Sequence, residues 1–125
     1  GKFLKKYPNV IFHSDITQGL GKIKFNLEDV DLASFSFHKI YGLKGIGGLV
    51  KKEKIRITPL IHGGKAISIY RSGTPQTALI ASSATAFSDA FDRLEEKIDY
   101  VKEIIKNGYC FSPQCLLYVS AHSCF

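Results

Sequence analysis

There is no methionine among the 125 residues and glycine stands first, so the chain is expected to be a piece of a longer protein. Lys5 stands where an N-myristoylation signal would need Ser or Thr, and no secretory signal peptide opens the chain. No apolar run approaches the ~20 residues of a membrane-spanning helix, so no membrane partner is expected. Cysteine is scarce. Cys110, Cys115 and Cys124 crowd into the tail, and three thiols do not make a disulfide framework, so a reducing compartment, the cytoplasm, is expected. Charge vanishes after Lys106. The glycines at 42, 45, 47 and 48 form neither a dinucleotide fingerprint nor a P-loop, because no Gly-Lys-Ser/Thr closes the run.

A hydrophobic content of 45% with 22% charged residues is ordinary for a globular domain and argues against disorder. The net charge of +6 is unevenly spread: residues 1–73 carry 13 Lys+Arg against 5 Asp+Glu, residues 74–125 carry 4 against 6. The basic side chains are scattered and match no nucleic-acid-binding motif. They are read as a solvated surface, with no nucleic-acid partner.

Hydrophobic patterning predicts strands over residues 10–12 and 32–37, then a hairpin of strands 46–50 and 55–61 around the charged turn 51–54. A short helix capped by Asn26 is predicted before the second strand. Residues 62–73 form a loop. Thr74 and Pro75 have the N-cap and first-turn pattern of a helix, and Phe87, Phe91, Leu94, Ile98, Val101 and Ile105 recur on one face. A single helix over 75–106 would be long, so a kink is expected near Ser82-Ser83, and Asn107-Gly108 reads as the C-cap.

The informative residues sit at two strand ends. Ser34-Phe35-Ser36-Phe37 runs into His38-Lys39, and 24 residues before Lys39 an apolar run ends in His13-Ser14-Asp15-Ile16-Thr17-Gln18. A lysine closing an apolar strand either snorkels to solvent or is held for chemistry. If both strands belong to one parallel sheet, the two ends share the edge where open α/β sheets bind ligands. A lysine, an aspartate and small polar donors suit pyridoxal phosphate, which takes a lysine for its Schiff base and a carboxylate for its pyridinium nitrogen.

Asp15-x-x-Gln18, Ser34-Phe35-Ser36-x-His38-Lys39-x-x-Gly42-x-Lys44-Gly45-x-Gly47, Pro59-Leu60-Ile61-His62-Gly63-Gly64 and Arg71-Ser72-Gly73-Thr74-Pro75 together resemble the cysteine desulfurases. These belong to the class V aminotransferase group of fold type I pyridoxal phosphate enzymes. The resemblance runs from about Val10 to about Lys106. It implies an α/β fold, part of the large domain of such an enzyme, with strands first and a long C-terminal helix after them. Residues 1–73 would be the carboxyl part of the cofactor-binding large domain, 74–108 a helix leading to the small domain, and 109–125 an unassigned tail.

By the same resemblance Lys39 is the catalytic residue and binds the cofactor covalently. Asp15 faces the pyridine nitrogen, Gln18 the phenolic oxygen, and Ser36 and His38 the phosphate. Thr74 reaches the phosphate of a partner subunit's cofactor, in a homodimer; its plainer role is the helix N-cap. The substrate would be cysteine, converted to alanine plus enzyme-bound sulfur that passes to a sulfur-acceptor protein, for iron–sulfur cluster or thiolation pathways. A selenocysteine lyase and a truncated, non-catalytic remnant are the alternatives. The family's upstream phosphate cradle and stacking histidine, and its downstream cysteine loop, have no counterpart here, so the 125 residues alone are expected to be inactive. No metal is expected: a zinc site from Cys110, Cys115, His122 and Cys124 lacks the paired short spacings.

Residues 109–125 are uncharged and contain Leu116-Leu117-Tyr118-Val119, which needs cover against a sheet or another chain. Removing them is expected to lower self-association measured by light scattering. An equally associated or less soluble truncated chain would show that the tail is part of the fold.

Overall fold

Alternation along Leu32-Ala33-Ser34-Phe35-Ser36 sends Ala33 and Phe35 to one face and the polar Ser34 and Ser36 to the other. The computed structural model describes residues 1–64 and 68–108 and has this segment as the middle strand of a three-stranded sheet. β1 (His13–Asp15) runs parallel to β2 (Leu32–Ser36), and β3 (Gly47–Lys51) runs antiparallel to it. Ala33 is 1% exposed. On the same side of the sheet Leu20, Ile40 and Ala90 form the core, with Ile16, Phe35 and Phe37 packed on it.

The strands are tied together at the end away from Ser36. Asp31 and Leu32 donate their N–H groups to the Phe12 carbonyl (2.9 and 3.0 Å), the Phe12 N–H donates to Asp31 Oδ2 at 3.1 Å, and the Lys52 N–H donates to the Asp31 carbonyl at 2.9 Å. At β3 the glycines serve close approach: a Cβ on Gly48 would lie 2.3 Å from the Phe35 ring, and one on Gly47 2.6 Å from the Phe35 carbonyl oxygen. The chain also turns tightly just before β3, with Gly45 at φ +93°.

Helix α1 (Thr77–Asp92) buries Ser83, Ala86 and Ala90, a face of small residues, so its axis lies close to the chain beneath it. A Cβ on Gly21 would stand 2.8 Å from Ala90 Cβ. The stripe expected to be buried is only partly so. Leu94 is buried, whereas Phe87 and Phe91 remain exposed with their rings 4.6 Å apart.

Several local expectations change in the structure. The first strand is His13–Asp15 rather than 10–12, because Phe12 is occupied in the Asp31 tie. The second hairpin strand does not form: Lys51 Nζ donates to the carbonyls of Lys52 (3.3 Å), Glu53 (3.3 Å) and Ile55 (3.1 Å), and Pro59 has no N–H to offer a ladder. Asn26 caps a turn, not a helix, accepting the Glu28 N–H at 2.6 Å. The long helix is two helices, α1 and α2 (Leu94–Lys106), broken at Arg93 (φ −120°, ψ 23°). No break occurs at Ser82-Ser83, where the Ser83 hydroxyl bonds back to the Leu79 carbonyl at 2.7 Å inside a continuous helix. Turning the chain at Arg93 lets Leu94 point inward and puts Glu95 and Glu96 in the first turn of α2, where the helix dipole favours them. The C-terminal reading holds, with Asn107 as cap and Gly108 at φ +74°.

Gly21 is at φ +66° as well as against Ala90. Gly21→Ala therefore combines a left-handed backbone cost of about 1–2 kcal/mol with overpacking of about 1–3 kcal/mol. Urea unfolding is expected to show a loss of at least about 2 kcal/mol from these two effects. Gly108→Ala, at φ +74° with nothing within 4 Å of the new methyl, is expected to lose only the backbone part.

Candidate active site

Register decides which side chains meet. Pairing of Asp15 with Ser34 places the carboxyl ends of β1 and β2 at one sheet edge, as the parallel-sheet reading expects. Asp15 is the last residue of β1 and Ser36 the last of β2; past Ser36 the chain turns into a 3-10 helix, Phe37–Ile40, that carries His38 and Lys39. The sequence led us to expect strand up to Phe37. The earlier turn occurs because Ile40 goes into the core, 3% exposed, which leaves His38 and Lys39 exposed on the other side. The Phe37 N–H donates to the Ile46 carbonyl (3.3 Å) and the Gly42 N–H to the Phe37 carbonyl (2.9 Å), closing the segment on both sides. Between them Tyr41 takes φ 68° and is 95% exposed, an uncommon backbone state for a non-glycine residue.

Asp15 is exposed, and its Oδ1 accepts the Thr17 N–H at 2.8 Å. Thr17, through its hydroxyl and then its N–H, holds the carboxyl below the usual aspartate range, and the neighbouring His13 adds to this. Such a group stays ionised into mildly acidic solution. Gln18 sits in the following turn, exposed, its Oε1 accepting from Lys22 Nζ at 3.5 Å. Thr74 lies apart on the segment leading to α1, exposed; among the described residues no hydrogen bond joins it to the edge. Its plainer role is not the one it has: the N-cap is Gln76, and α1 begins at Thr77. The candidate zinc ligands Cys110, Cys115, His122 and Cys124 lie outside the described residues.

Sequence reading gave no role to Thr17, His13 or Ser34. An acidic residue two before a threonine is a turn signature that could have pointed to Thr17. The side-chain contact between His13 Nε2 and Ser34 Oγ, 3.0 Å apart, depends on inter-strand register and has no local signal.

The family profile Aminotransferase class-V matches residues 1–108. The chain belongs to the class-V aminotransferase family. Over 97 residues it is 50% identical to the cysteine desulfurase IscS of Rickettsia prowazekii, covering 74% of this chain and 24% of that protein. The IscS of Rickettsia typhi is 43% identical over 117 residues, 87% of this chain and 28% of the relative. The chain thus spans about a quarter of the length of the curated relatives it matches. Among solved structures, a NifS-like protein from Rickettsia africae superposes with a TM-score of 0.75 at 35% identity, over 90% of this chain and 32% of that one. A structure of SspA in complex with cysteine has a TM-score of 0.63 at 33% identity, covering 70% and 26%. As a class-V aminotransferase segment, the sheet and helices are an α/β part of a fold type I large domain.

The Thr17 bonds make a prediction about acid. A carboxyl whose folded value is lowered stabilises the fold above its unfolded value and loses that contribution as pH falls through the folded value. An NMR titration is expected to place the Asp15 midpoint below ~3.9, and Thr17→Val is expected to raise it. A midpoint unchanged in Thr17→Val would remove the hydroxyl from the account.

Proposed function

We propose that this chain carries the cofactor-attachment lysine and the ring-nitrogen carboxylate of a pyridoxal phosphate-dependent cysteine desulfurase. The observation that carries this reading is the β1–β2 register, which brings Asp15, Ser36 and the His38-Lys39 turn to one edge. The donor set there fits pyridoxal phosphate: an exposed amine, a carboxylate kept ionised by Thr17, a hydroxyl and an imidazole. Identity of 50% to a cysteine desulfurase over this segment supports the reaction class, and the cysteine-bound SspA structure supports cysteine as substrate.

In this reading Lys39 would hold the cofactor covalently, and its amine when free would move a proton at the substrate's α-carbon. Asp15 accepts the ring N–H and keeps that nitrogen protonated. Gln18 bonds the phenolic oxygen. Ser36 and His38 hold the phosphate, and Thr74, not engaged as the α1 cap, is available to the phosphate of a partner subunit's cofactor in a homodimer. Bound there, pyridoxal phosphate supplies an electron sink conjugated to the α-carbon. Residues 1–73 are assigned to the cofactor-binding large domain and 74–108 to the passage toward the small domain. Transfer to a sulfur-acceptor protein and a cytoplasmic location complete the proposal. No helix among the described residues is long and apolar enough to cross a membrane.

The test is borohydride reduction of the full-length protein carrying this chain, after incubation with pyridoxal phosphate, followed by peptide mass spectrometry. The pyridoxyl mass is expected on the Lys39 peptide and is expected to disappear in Lys39→Ala, together with sulfide release from cysteine. A reducible adduct retained in Lys39→Ala would assign the attachment to another lysine.

A further inference from the structure

Strand alternation puts His13 and Asp15 on the same face of β1. Leu32 is the register partner of His13, and Ser34 is the partner of Asp15. The His13 imidazole nevertheless hydrogen-bonds Ser34, Nε2 to Oγ at 3.0 Å, so it leans one register step toward the sheet edge and reaches the level of the carboxylate. Core packing does not account for this contact, because His13 is exposed and lies on the face opposite Ala33 and Phe35. Nor does the ladder need it, since β1 and β2 are already paired in register through their backbones. What the contact does is place the imidazole against Ser34, the register partner of Asp15, while Thr17 holds the carboxylate from the following turn.

We propose that His13, braced by Ser34, is a positioning residue that keeps the Asp15 carboxylate aimed at the ring nitrogen of the bound cofactor. This rests on the functional reading above. Other charged groups near this face are Lys51 on β3, level with Leu32 and so one strand further from His13, and His38 and Lys39 beyond the edge. Of these polar neighbours, only His13 shares the strand and the face of Asp15. Its effect on the cofactor passes through the carboxylate: a carboxylate free to swing would pair less well with the ring nitrogen, loosening the cofactor and easing loss of its ring proton.

Three variants of the full-length protein test this: His13→Leu, His13→Gln and Ser34→Ala, each titrated with pyridoxal phosphate by absorbance. His13→Leu and Ser34→Ala are expected to bind the cofactor about tenfold more weakly, the low end for loss of a supporting partner. They are also expected to shift the pH midpoint of its visible band, with His13→Gln recovering part of both. Folded His13→Leu protein with unchanged affinity and midpoint overturns the inference. Should His13→Leu fail to fold, Ser34→Ala decides by the same two readouts. A wild-type protein that binds no pyridoxal phosphate overturns the functional reading instead.

Discussion

Asp31 sets the frame on which the edge residues depend. Its carboxylate accepts the Phe12 N–H before β1 begins, its N–H donates to Phe12, and its carbonyl accepts from Lys52 after β3 ends. One residue thus fixes all three strands at the end away from Lys39. The Phe12 bond, ahead of the nearby Lys52 (3.3 Å) and Lys54 (3.9 Å) amines, holds the Asp31 carboxyl below the usual aspartate range. A slip of one residue would flip every side chain of β1 to the other face. Asp15 would then point into the core and Ser14 to the edge, so the site exists only in the register that Asp31 selects.

The sequence was informative where a signal is local or composite. The spacing of Asp15-x-x-Gln18 and His38-Lys39 located the edge residues, and the alternation at 32–37 gave β2 to within one residue. It misled where a tertiary partner overrides local preference. Residues 55–61 look like a strand, but the Lys51 amine takes the carbonyls of the preceding turn and Pro59 interrupts the donors. Thr74-Pro75 looks like a helix start, yet α1 begins two residues later. The apolar stripe from Phe87 to Ile105 suggested which face would be buried, whereas α1 buries its alanines because Gly21 and Gly42 bring the chain too near for anything larger. The His13–Ser34 contact was invisible for the same kind of reason: it needs a register that no single segment encodes.

Part of the scattered basic charge is paired at the surface. Lys5 pairs with Asp29, Lys24 with Glu95, and Lys52 with Asp31 at 3.3 Å. Exposed pairs such as the first two contribute little each. The Asp31 pair differs because it adds to a backbone tie already made.

The 3-10 turn Phe37–Ile40 divides labour between adjacent residues. Ile40 goes into the core between α1 and the sheet, while Lys39 and His38 face outward. The anchoring side chain and the one proposed to react are therefore different side chains on the same turn. A lineage could exchange the outward residues, and with them the chemistry, at little cost to folding, whereas a change at Ile40 would move the mount beneath them. The edge is in this sense modular: its outward residues can change while the scaffold persists.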